Sequence, residues 1–383
     1  MPDLKEETMR TLSTFTRRRT RSALAIVAAG LLCITAACGS GAPDPASTAP
    51  QSSIDPNEGG GAEWQKVVDA ANKEGSVVLY LSPPGVEERL KQAFAANYPG
   101  IKLTTLRQGT GELTTRLDQE RTTSAAGADV TLHSSKAWFD KNVDSLAVST
   151  GPALGKYWSA GNLLPPSKTY APVASSTWGL GINTELFKEL GAKPITSYAD
   201  LLQPELKGAI GIAPAGNSPA STQWWFFAAP HLGDAAGLRT LASLNVTPYP
   251  GGSAPLAEAL ASGEKAVGVY ESTLTVGSLV KSGAPIEIVD LQPPIAIAYF
   301  SGAVKWASHP NAALVFQNWL MSPAGQVALN GSGELYTALS LDSLGPVPPT
   351  MRTLDPNASL TDGIVTPEQQ KWLDETWKPI MGG

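Results

Sequence analysis

The strongest constraint on the fold of this chain is an alternation of short apolar runs with amphipathic segments. From residue 63 onward the pattern predicts a helix, "EWQKVVDAANKEG", a strand, "SVVLYLS", a helix, "GVEERLKQAFAANYPG", and a strand, "IKLTTLRQ". In the first of these helices, Trp64, Val67, Val68 and Ala71 share one face. The helix "GELTTRLDQERTTSAAG" and the strand "ADVTLHS" follow. Such alternation predicts an α/β fold with mostly parallel sheets.

The same alternation resumes in the second half of the chain. Its elements are the strand "GAIGIAP", the helix "STQWWFFAA", the helix and strand of "PLAEALASGEKAVGVYE", and the strand "PIEIVD". The tail is mainly helical, with "NAALVFQNWLMSPAGQVAL" and "TPEQQKWLDETWKPIM". A chain of 383 residues is long enough for two domains of this kind.

Residues 1–37 have the features of an export signal. A basic cluster around Arg18 precedes the uncharged run 22–37, which is too short to span a bilayer comfortably. Two alanines then stand directly before Cys38, an arrangement that resembles a bacterial lipobox. We favour a lipoprotein signal peptide with the lipid attached to Cys38. The alternative is an ordinary secretory signal that leaves Cys38 as a free thiol.

The cysteine content and the net charge of the chain limit its possible disulfides and partners. The chain has two cysteines, Cys33 and Cys38, and Cys33 lies within the signal, so we expect no disulfide in the mature protein. The net charge of −6 becomes more negative once the basic leader is removed. That charge argues against nucleic acid and against an anionic membrane surface as partners. Residues 38–61 are rich in Gly, Ser, Pro and Ala and predict a flexible tether after the lipidated cysteine.

Several segments, taken in their order and spacing, resemble the extracellular solute-binding proteins of ABC importers. The resemblance is closest to the branch that binds ferric iron or aminoethylphosphonate, and it extends from Ala71 to Leu329. The segments that carry it are "ANKEGSVVLYLS", "LKQAFAANYPGIKLTTLRQGTGELTTRL", "WGLGINTELF", "TSYADLLQPELKGAIGIAPAGNSPAST", "ASGEKAVGVYES" and "SHPNAALVFQNWLMSPAGQVAL". The resemblance implies a two-lobed, hinged fold of the periplasmic-binding-protein type II class. Each lobe would be a mixed, mostly parallel sheet flanked by helices.

The resemblance also implies a function and a division of the chain. It suggests a monomeric receptor, held to the outer face of the cell membrane only by its lipid, that passes a small-molecule solute to ABC permease subunits with an ATPase on the inner side. We expect no cofactor. The first lobe would comprise 62–175 and the second 176–294, while 295–383 would return to the first lobe and end in helices. The hinge would lie in 171–183, with a return crossing near 291–302.

In open α/β sheets, ligands bind beyond the carboxyl ends of the strands. In this chain those ends lead into polar loops, several of which precede helices whose N-termini suit anions. The candidate ligand-binding residues come from these loops and from the hinge segment. They are Tyr80, Ser82, Gly109, Thr110, Gly111, His133, Ser134, Trp178, Asn217, Ser218, Ser221, Trp224, Tyr270 and Glu271.

Most of these candidates also have a structural interpretation. Gly109 to Gly111 have the composition of a plain helix cap, and the same holds for Ser218 and Ser221, although for this serine pair we favour ligand binding. Tyr80 and His133 stand at strand ends, where a core position is an equally good explanation. We expect truncation of both serines to weaken anion binding without unfolding the protein.

The tryptophans favour an organic ligand over a bare ion. Trp224 and Trp225 are adjacent, so on a helix they point about 100° apart and at least one is expected in the core. The other, together with Trp178 near the crossover, would give the cleft an aromatic wall. Hinge packing is the structural alternative for Trp178.

The region after "AVGVYE" bears on whether the ligand is iron. Ferric binders of the resembled branch carry two adjacent tyrosines shortly after such a strand. This chain has no adjacent tyrosines, and the corresponding positions hold Thr273 and Leu274. Leucine cannot ligate a metal, so we expect no metal site. Glu271 would instead meet an amino group of the ligand or an internal arginine.

The sequence contains none of the catalytic motifs that would indicate an enzyme. It has no G-x-S-x-G elbow, no G-K-[ST] phosphate loop and no H-E-x-x-H motif. We therefore expect a receptor for a small organic anion, either a phosphonate or a carboxylate, including aromatic carboxylates. A receptor for ferric iron or an iron–anion complex is the alternative, and a lipoprotein that acts through a partner protein also remains open.

Overall fold

The structure is a computed structural model that describes residues 54–383 apart from 124, 160–165, 356–357, 362 and 383. The signal peptide and Cys38 lie outside the described residues. No helix in the described part of the chain combines the length and the apolar character needed to cross a bilayer.

The described strands form two separate sheets. In chain order, the strands are β1 (Ser76–Leu81), β2 (Lys102–Arg107), β3 (Val130–His133), β4 (Ala171–Thr177), β5 (Gly179–Asn183), β6 (Ile210–Ile212), β7 (Thr247–Pro248), β8 (Val267–Glu271), β9 (Ile286–Val289), β10 (Ile295–Ala303), β11 (Tyr336–Thr337), β12 (Arg352–Thr353) and β13 (Ser359–Thr361).

The described helices cover the faces of these sheets. They are α1 (Gly61–Glu74), α2 (Glu87–Asn97), α3 (Thr110–Thr123), α4 (Lys136–Lys141), α5 (Thr184–Leu190), α6 (Pro219–Leu232), α7 (Asp234–Ser243), α8 (Ser253–Ala261), α9 (Thr273–Lys281), α10 (Pro310–Leu320), α11 (Pro323–Asn330), α12 (Pro367–Trp372) and α13 (Lys378–Met381). Short 3₁₀ or π turns occupy Val143–Ser145, Leu154–Ser159, Tyr198–Leu202, Pro204–Leu206, Leu341–Leu344 and Leu373–Trp377.

The eight-stranded sheet has the order β12-β11-β4-β10-β3-β1-β2, with β13 beside β10. Strand β1 pairs in parallel with β2 and β3, whereas β10 runs antiparallel to β3 and β4. We call this sheet and the helices packed on it, α1, α2, α3, α10 and α11, the first lobe. The predicted strands at 76–82, 101–108 and 128–134 are confirmed as β1, β2 and β3.

The five-stranded sheet has the order β7-β6-β8-β5-β9. Strand β6 pairs in parallel with β7 and β8, and β5 runs antiparallel to β8 and β9. This sheet with helices α5 to α9 is the second lobe. Both sheets are therefore mixed and flanked by helices, as predicted.

Amphipathic spacing explains the helices that cover the first sheet. Helix α1 buries Trp64, Val68 and Ala71, and it ends at Gly75, whose φ of 68° places it in the left-handed region. Most L-residues avoid that conformation, so glycine is a natural helix stop there. The predicted helix over 311–329 is instead two helices, because α10 ends at Leu320 and Ser322 then caps a new helix that begins with a proline.

Within the described residues, the chain passes between the sheets at three places. Strand β4 of the first sheet ends at Thr177 and β5 of the second begins at Gly179, so Trp178 alone separates them. The chain returns between the end of β9 and the start of β10. After β13 it crosses again, since the C-terminal helices pack on the second lobe, where the Trp377 and Trp225 ring centroids are 4.5 Å apart. The C-terminal helices thus lie on the second lobe, a placement that the chain division predicted from sequence does not include.

Residues 54–60 pack against the first lobe, although composition predicted a flexible tether as far as residue 61. The side-chain oxygen of Asn57 accepts hydrogen bonds from Trp64 Nε1 at 2.8 Å and from the Tyr98 hydroxyl at 2.8 Å. Asn318 Nδ2 donates to the Pro56 carbonyl at 2.9 Å. These bonds reach residues distant in sequence, so the composition of the segment alone gave no sign of them.

Candidate functional site

A cavity of about 660 Å³ lies where the two sheets approach each other. Its walls are loops at the carboxyl ends of β1, β2 and β3 on one side and of β6 and β8 on the other. We call this cavity the cleft. A larger but shallower groove of about 850 Å³ runs along α3 and its flanking loops. That groove is formed by one lobe and is open to solvent along its length. The cleft is therefore the better candidate for a ligand site.

The structure brings most of the sequence candidates into the cleft wall. Those that line it are Ser82, Gly109, Thr110, Gly111, Ser134, Trp178, Asn217, Ser218, Ser221 and Tyr270. The remaining four, Tyr80, His133, Trp224 and Glu271, are buried behind it.

Four helices begin at the cleft. Helix α3 comes from the first lobe, and α6, α8 and α9 come from the second; residues of the first turn of each line the cleft. The N–H groups of a first helical turn have no acceptor within the helix, and the helix dipole places partial positive charge there. The cleft is therefore electrostatically suited to an anion that contacts both lobes.

Two of these helix starts are closed by their own side chains. Ser218 Oγ accepts from the Ser221 amide at 3.0 Å, and Ser221 Oγ accepts from the Ser218 amide at 3.0 Å. Ser272 and Thr275 form the equivalent reciprocal pair at α9. The serine hydroxyls that we had favoured as ligand donors therefore act first as helix caps, and only their remaining hydrogen-bonding capacity faces the cleft.

The start of α8 has no side-chain cap, since the residue before it is Gly252. At α3, Thr110 Oγ1 lies 3.1 Å from Ser134 Oγ, which joins the loops after β2 and β3. Ser82 Oγ is buried and makes no hydrogen bond within the described residues. These groups are the donors and acceptors most available to a ligand.

Aromatic rings form one wall of the cleft. The Trp178 and Tyr270 rings stack with centroids 4.3 Å apart and planes at 26°. Trp178 Nε1 donates to Ser176 Oγ at 2.9 Å, and Trp224 Nε1 donates to the Trp178 carbonyl at 2.7 Å. Trp224 thus supports the wall from behind, which explains why it does not line the cleft.

A β-bulge places Tyr270 in that wall. Gly179 pairs with Glu271 and Leu180 with Val269, so Tyr270 is the extra residue of β8, and its φ is 79°. A positive φ is rare for a residue with a bulky side chain and is typical of functional sites. The bulge turns Tyr270 toward the cleft and Glu271 into the interior of the second lobe.

Glu271 has no solvent exposure, and neither of its carboxylate oxygens accepts a hydrogen bond of normal geometry from a described residue. Burial raises its pKa well above the ordinary value, and the nearby Thr275 hydroxyl and Ser272 amide only partly oppose this effect. Burial therefore favours the neutral acid over the carboxylate at this position. Glu271 was predicted to line the cleft, and this prediction is wrong. The bulge turns its side chain to the other side of the strand.

Tyr80 and His133 also face the interior of the first lobe. The Tyr80 hydroxyl donates to Glu120 Oε1 at 2.9 Å. The His133 ring stacks on Phe139 with centroids 4.4 Å apart, and burial lowers the pKa of His133 to about 3. His133 Nδ1 accepts from the Ser135 amide at 3.2 Å, so this ring supports the cleft loop from within the core.

Two charged side chains line the cleft, and the sequence analysis singled out neither as a ligand group. Arg107 ends β2, and Glu112 lies in the first turn of α3. Within the part of the chain that the structure describes, neither forms an ion pair or a side-chain hydrogen bond. Arg107 closes the strand "IKLTTLR" directly before a glycine-containing loop, and that position was the available signal.

Tyr299 is a second residue that sequence reasoning missed. It belongs to β10, the strand that returns from the second lobe, and it lines the cleft. Burial raises the pKa of Tyr299, while the Ser176 hydroxyl and the positive charge of Arg107 partly oppose that rise. Its signal in the sequence was weak, because "IAIAYFSGA" reads as a uniformly buried strand.

Among the described residues there is no group of three or more His, Cys, Asp or Glu side chains arranged to hold a metal ion. The hydroxyls, helix starts, aromatic rings and the Arg107 guanidinium of the cleft suit recognition of a small molecule.

The family model described as "Bacterial extracellular solute-binding protein" matches residues 81–333, which is more than half of the chain. The chain belongs to this family. The family comprises proteins of transport systems, whose location is extracytoplasmic and whose partners are a small-molecule solute and the subunits of an ABC transporter. No curated protein matches the chain.

The fold of this solute-binding protein is similar to that of several solved structures of binding proteins. The substrate-binding protein of an ABC transporter from Agrobacterium tumefaciens has a TM-score of 0.63 and 15% identity, covering 80% of this chain and 94% of that one. AfuA from Actinobacillus pleuropneumoniae, with exogenous fructose-6-phosphate bound, has a TM-score of 0.55 and 20% identity, with coverage of 80% and 98%. Iron-bound HitA from Pseudomonas aeruginosa has a TM-score of 0.58 and 16% identity, covering 80% of this chain and 99% of that one. At these identities the likeness shows the fold.

Proposed function

We propose that this protein is the lipid-anchored receptor of an ABC importer and that it captures a small organic anion, a phosphonate or a carboxylate, between its lobes. The observation that carries the proposal is a cleft lined by the N-termini of helices from both lobes and by Arg107, whose guanidinium has no ion-pair partner among the described residues.

The anionic character follows from the electrostatics of the cleft. Helix N-termini and a guanidinium both favour negative charge, and a guanidinium can bind carboxylate or phosphonate oxygens in pairs. Glu112 is the opposing charge in the cleft wall. A ligand that also carried an ammonium group would find a partner there. AfuA, which has a similar fold, was solved with fructose-6-phosphate bound, and that ligand is an anion.

The organic character follows from the stacked rings and the size of the cleft. A volume of about 660 Å³ is within the range of small-molecule sites and is far larger than a bare ion needs. Trp178 and Tyr270, with the apolar side chains of Leu274 and Ile297, offer a surface for the carbon part of the ligand.

The mechanism we propose is closure of the lobes on the ligand. Contacts that the ligand makes with both lobes at once stabilise the closed arrangement over the open one. The single residue between β4 and β5, Trp178, and the return segment 290–294 are the proposed hinges, with lobe boundaries near residues 176 and 295. Closure would then present both lobes to the permease.

The anchor is a proposal from sequence. Acylation of Cys38, after removal of residues 1–37, would leave a tether of residues 39–53 before the segment that packs on the first lobe. Metabolic labelling with a fatty acid tests it: the full chain should be labelled and Cys38→Ala should not. Labelling of the variant would contradict lipid attachment at that cysteine.

A ferric ligand is the second candidate, and one observation favours it. The phenols of Tyr270 and Tyr299 both line the cleft and lie close enough to interact electrostatically. Two phenolates are hard oxygen donors, and HitA binds iron on a related fold. Against this candidate, burial raises the pKa of both phenols, which disfavours phenolate, and Leu274 stands where a ligating tyrosine would be needed.

Thermal unfolding of the soluble chain that begins after Cys38 tests both candidates. The compounds are phosphonates, phosphate, aliphatic and aromatic carboxylates, polyamines, and ferric iron with and without citrate. A ligand at about one hundred times its dissociation constant stabilises the protein by about 2.7 kcal/mol. We expect a rise in melting temperature with an organic anion alone. A rise only with ferric iron would overturn the proposal in favour of the second candidate.

A further inference from the structure

We propose that Glu334 couples the two lobes by holding helix α9 and that this coupling limits the opening of the cleft. The inference rests on the closing motion of the proposed function, but it does not depend on which ligand the cleft binds.

Glu334 is fixed within the first lobe. It lies between α11 and β11, and its Oε2 accepts from Arg89 Nη1 at 2.7 Å and from Ser332 Oγ at 3.1 Å. Arg89 Nη2 also donates to the Leu329 carbonyl at 2.8 Å. The Arg89 and Glu334 side chains are only 13% and 16% exposed, so the carboxylate has little freedom to move.

One face of α9, in the second lobe, lies along this carboxylate. Thr273, Gly277 and Lys281 are spaced by four residues and therefore share a helix face. Thr273 Oγ1 donates to the Glu334 carbonyl at 3.2 Å, and Lys281 Nζ lies 3.0 Å from Glu334 Oε1. A Cβ atom at Gly277 would stand 3.3 Å from the same Oε1, so the glycine gives the carboxylate room against the helix.

The contact is linked to both the hinge and the cleft. Leu274 and Thr275 at the start of α9 line the cleft. Two residues after Glu334, the Tyr336 hydroxyl lies 3.1 Å from Thr177 Oγ1, directly before the crossing at Trp178. Rotation of the second lobe about Trp178 would move α9 away from Glu334. The two bonds from α9 therefore favour the arrangement in which the lobes are close.

The coupling has a clear set of variants. Lys281→Met removes a charge that is 73% exposed, and Thr273→Val removes a hydroxyl, while the Arg89–Glu334 pair stays intact in both. Lys91→Met is the matched control, because Lys91 pairs with Glu88 at 2.7 Å within α2 and does not bridge the lobes.

Electron–electron double resonance between spin labels on either side of the cleft measures the effect. With Cys38 removed, the soluble chain has no cysteine, so labels attach only at cysteines introduced for Lys141 and Glu258, both exposed. An exposed ion pair contributes a factor of about two to five in an equilibrium. We expect the population at longer distance to rise two- to fivefold in Lys281→Met, to rise further in the double variant, and to stay unchanged in the control.

The outcomes separate this inference from the proposed function. If the label-to-label distances of the double variant match those of the wild type, the coupling is overturned. This holds even if methylphosphonate or benzoate shortens the wild-type distance, which would support closure. A single distance in every variant, with and without these compounds, would overturn both the closing motion and the coupling. If the label-to-label distances are longer in the variants but the compounds change no distance, the result supports the coupling and counts against the ligand class.

Discussion

At the scale of the residue, the neighbours Tyr270 and Glu271 show how one backbone feature separates two similar expectations. Both were predicted to bind ligand because both end the same strand. The bulge at Tyr270 places its ring in the cleft and buries the next carboxyl group, to which no described residue donates a hydrogen bond of normal geometry. A bulge depends on pairing with β5, so the local sequence carries no sign of it.

The buried acid of Glu271 predicts a change of stability with pH. Its pKa in the folded protein is raised, so its contribution to stability is fully present below the ordinary value of 4.5 and is lost as the pH rises toward the folded value. The loss is about 1.4 kcal/mol for each pH unit in that window. The difference in free energy of unfolding between Glu271→Gln and the wild type should therefore favour the variant more at pH 8 than at pH 5. Denaturant titrations at both values measure this.

The control for that prediction is Glu258→Gln, the same change at an exposed glutamate of α8. It should leave the pH dependence as in the wild type. If Glu271→Gln behaves like this control, the carboxyl group is not held neutral in the folded protein.

His133 predicts the opposite slope at acid pH. Its pKa is lowered from 6.5 to about 3, so the unfolded chain binds a proton that the folded protein excludes. Stability should fall by about 1.4 kcal/mol per pH unit as the pH drops below 6.5. His133→Asn should remove this part of the acid sensitivity in circular-dichroism melts. His231→Asn, at an exposed histidine, should retain it; equal slopes in the two variants would contradict the prediction.

At the scale of the element, the helix starts at the cleft have two roles that the sequence could not separate. Serine at the start of a helix can cap it or bind a ligand, and the residue type is the same in both cases. At α6 the two serines cap each other. The expectation that they also bind the ligand stays a prediction, and the capping adds a prediction about stability.

Ser218→Ala should lower the free energy of unfolding by about 1 kcal/mol, whereas Ser218→Gly should lower it by only a few tenths of that. The reason is that alanine leaves the Ser221 amide without its acceptor and is a much poorer N-cap residue than glycine. Guanidinium denaturation measures both values. Ser278→Ala, at an exposed position inside α9, is the control and should not destabilise the protein. Equal stability of Ser218→Ala and the wild type would remove the capping role.

At the scale of the whole molecule, the sequence predicted the architecture better than the site. Periodic burial in segments such as "SVVLYLS" depends on neighbours in sequence, so β1 to β3, β6, β8 and β9 were all predicted. The packing of residues 54–60 on Tyr98 and Asn318 was not predicted, because it depends on contacts between residues that are distant in sequence. The place of Tyr299 in the cleft was not predicted either, because it arises only when the return strand β10 joins the first sheet. Arg107 ends the predicted strand β2, and only the structure shows that its side chain lines the cleft.

We propose that the cleft binds an organic anion through Arg107. The most direct test is calorimetric titration of the compound with the largest thermal shift into the wild type, Arg107→Gln and the control Lys91→Gln. A hydrogen bond to a charged group contributes about 1.5–3 kcal/mol. We therefore predict affinity about ten- to a hundredfold weaker in Arg107→Gln and unchanged in Lys91→Gln. Equal affinity in all three proteins would contradict the account and place the ligand elsewhere.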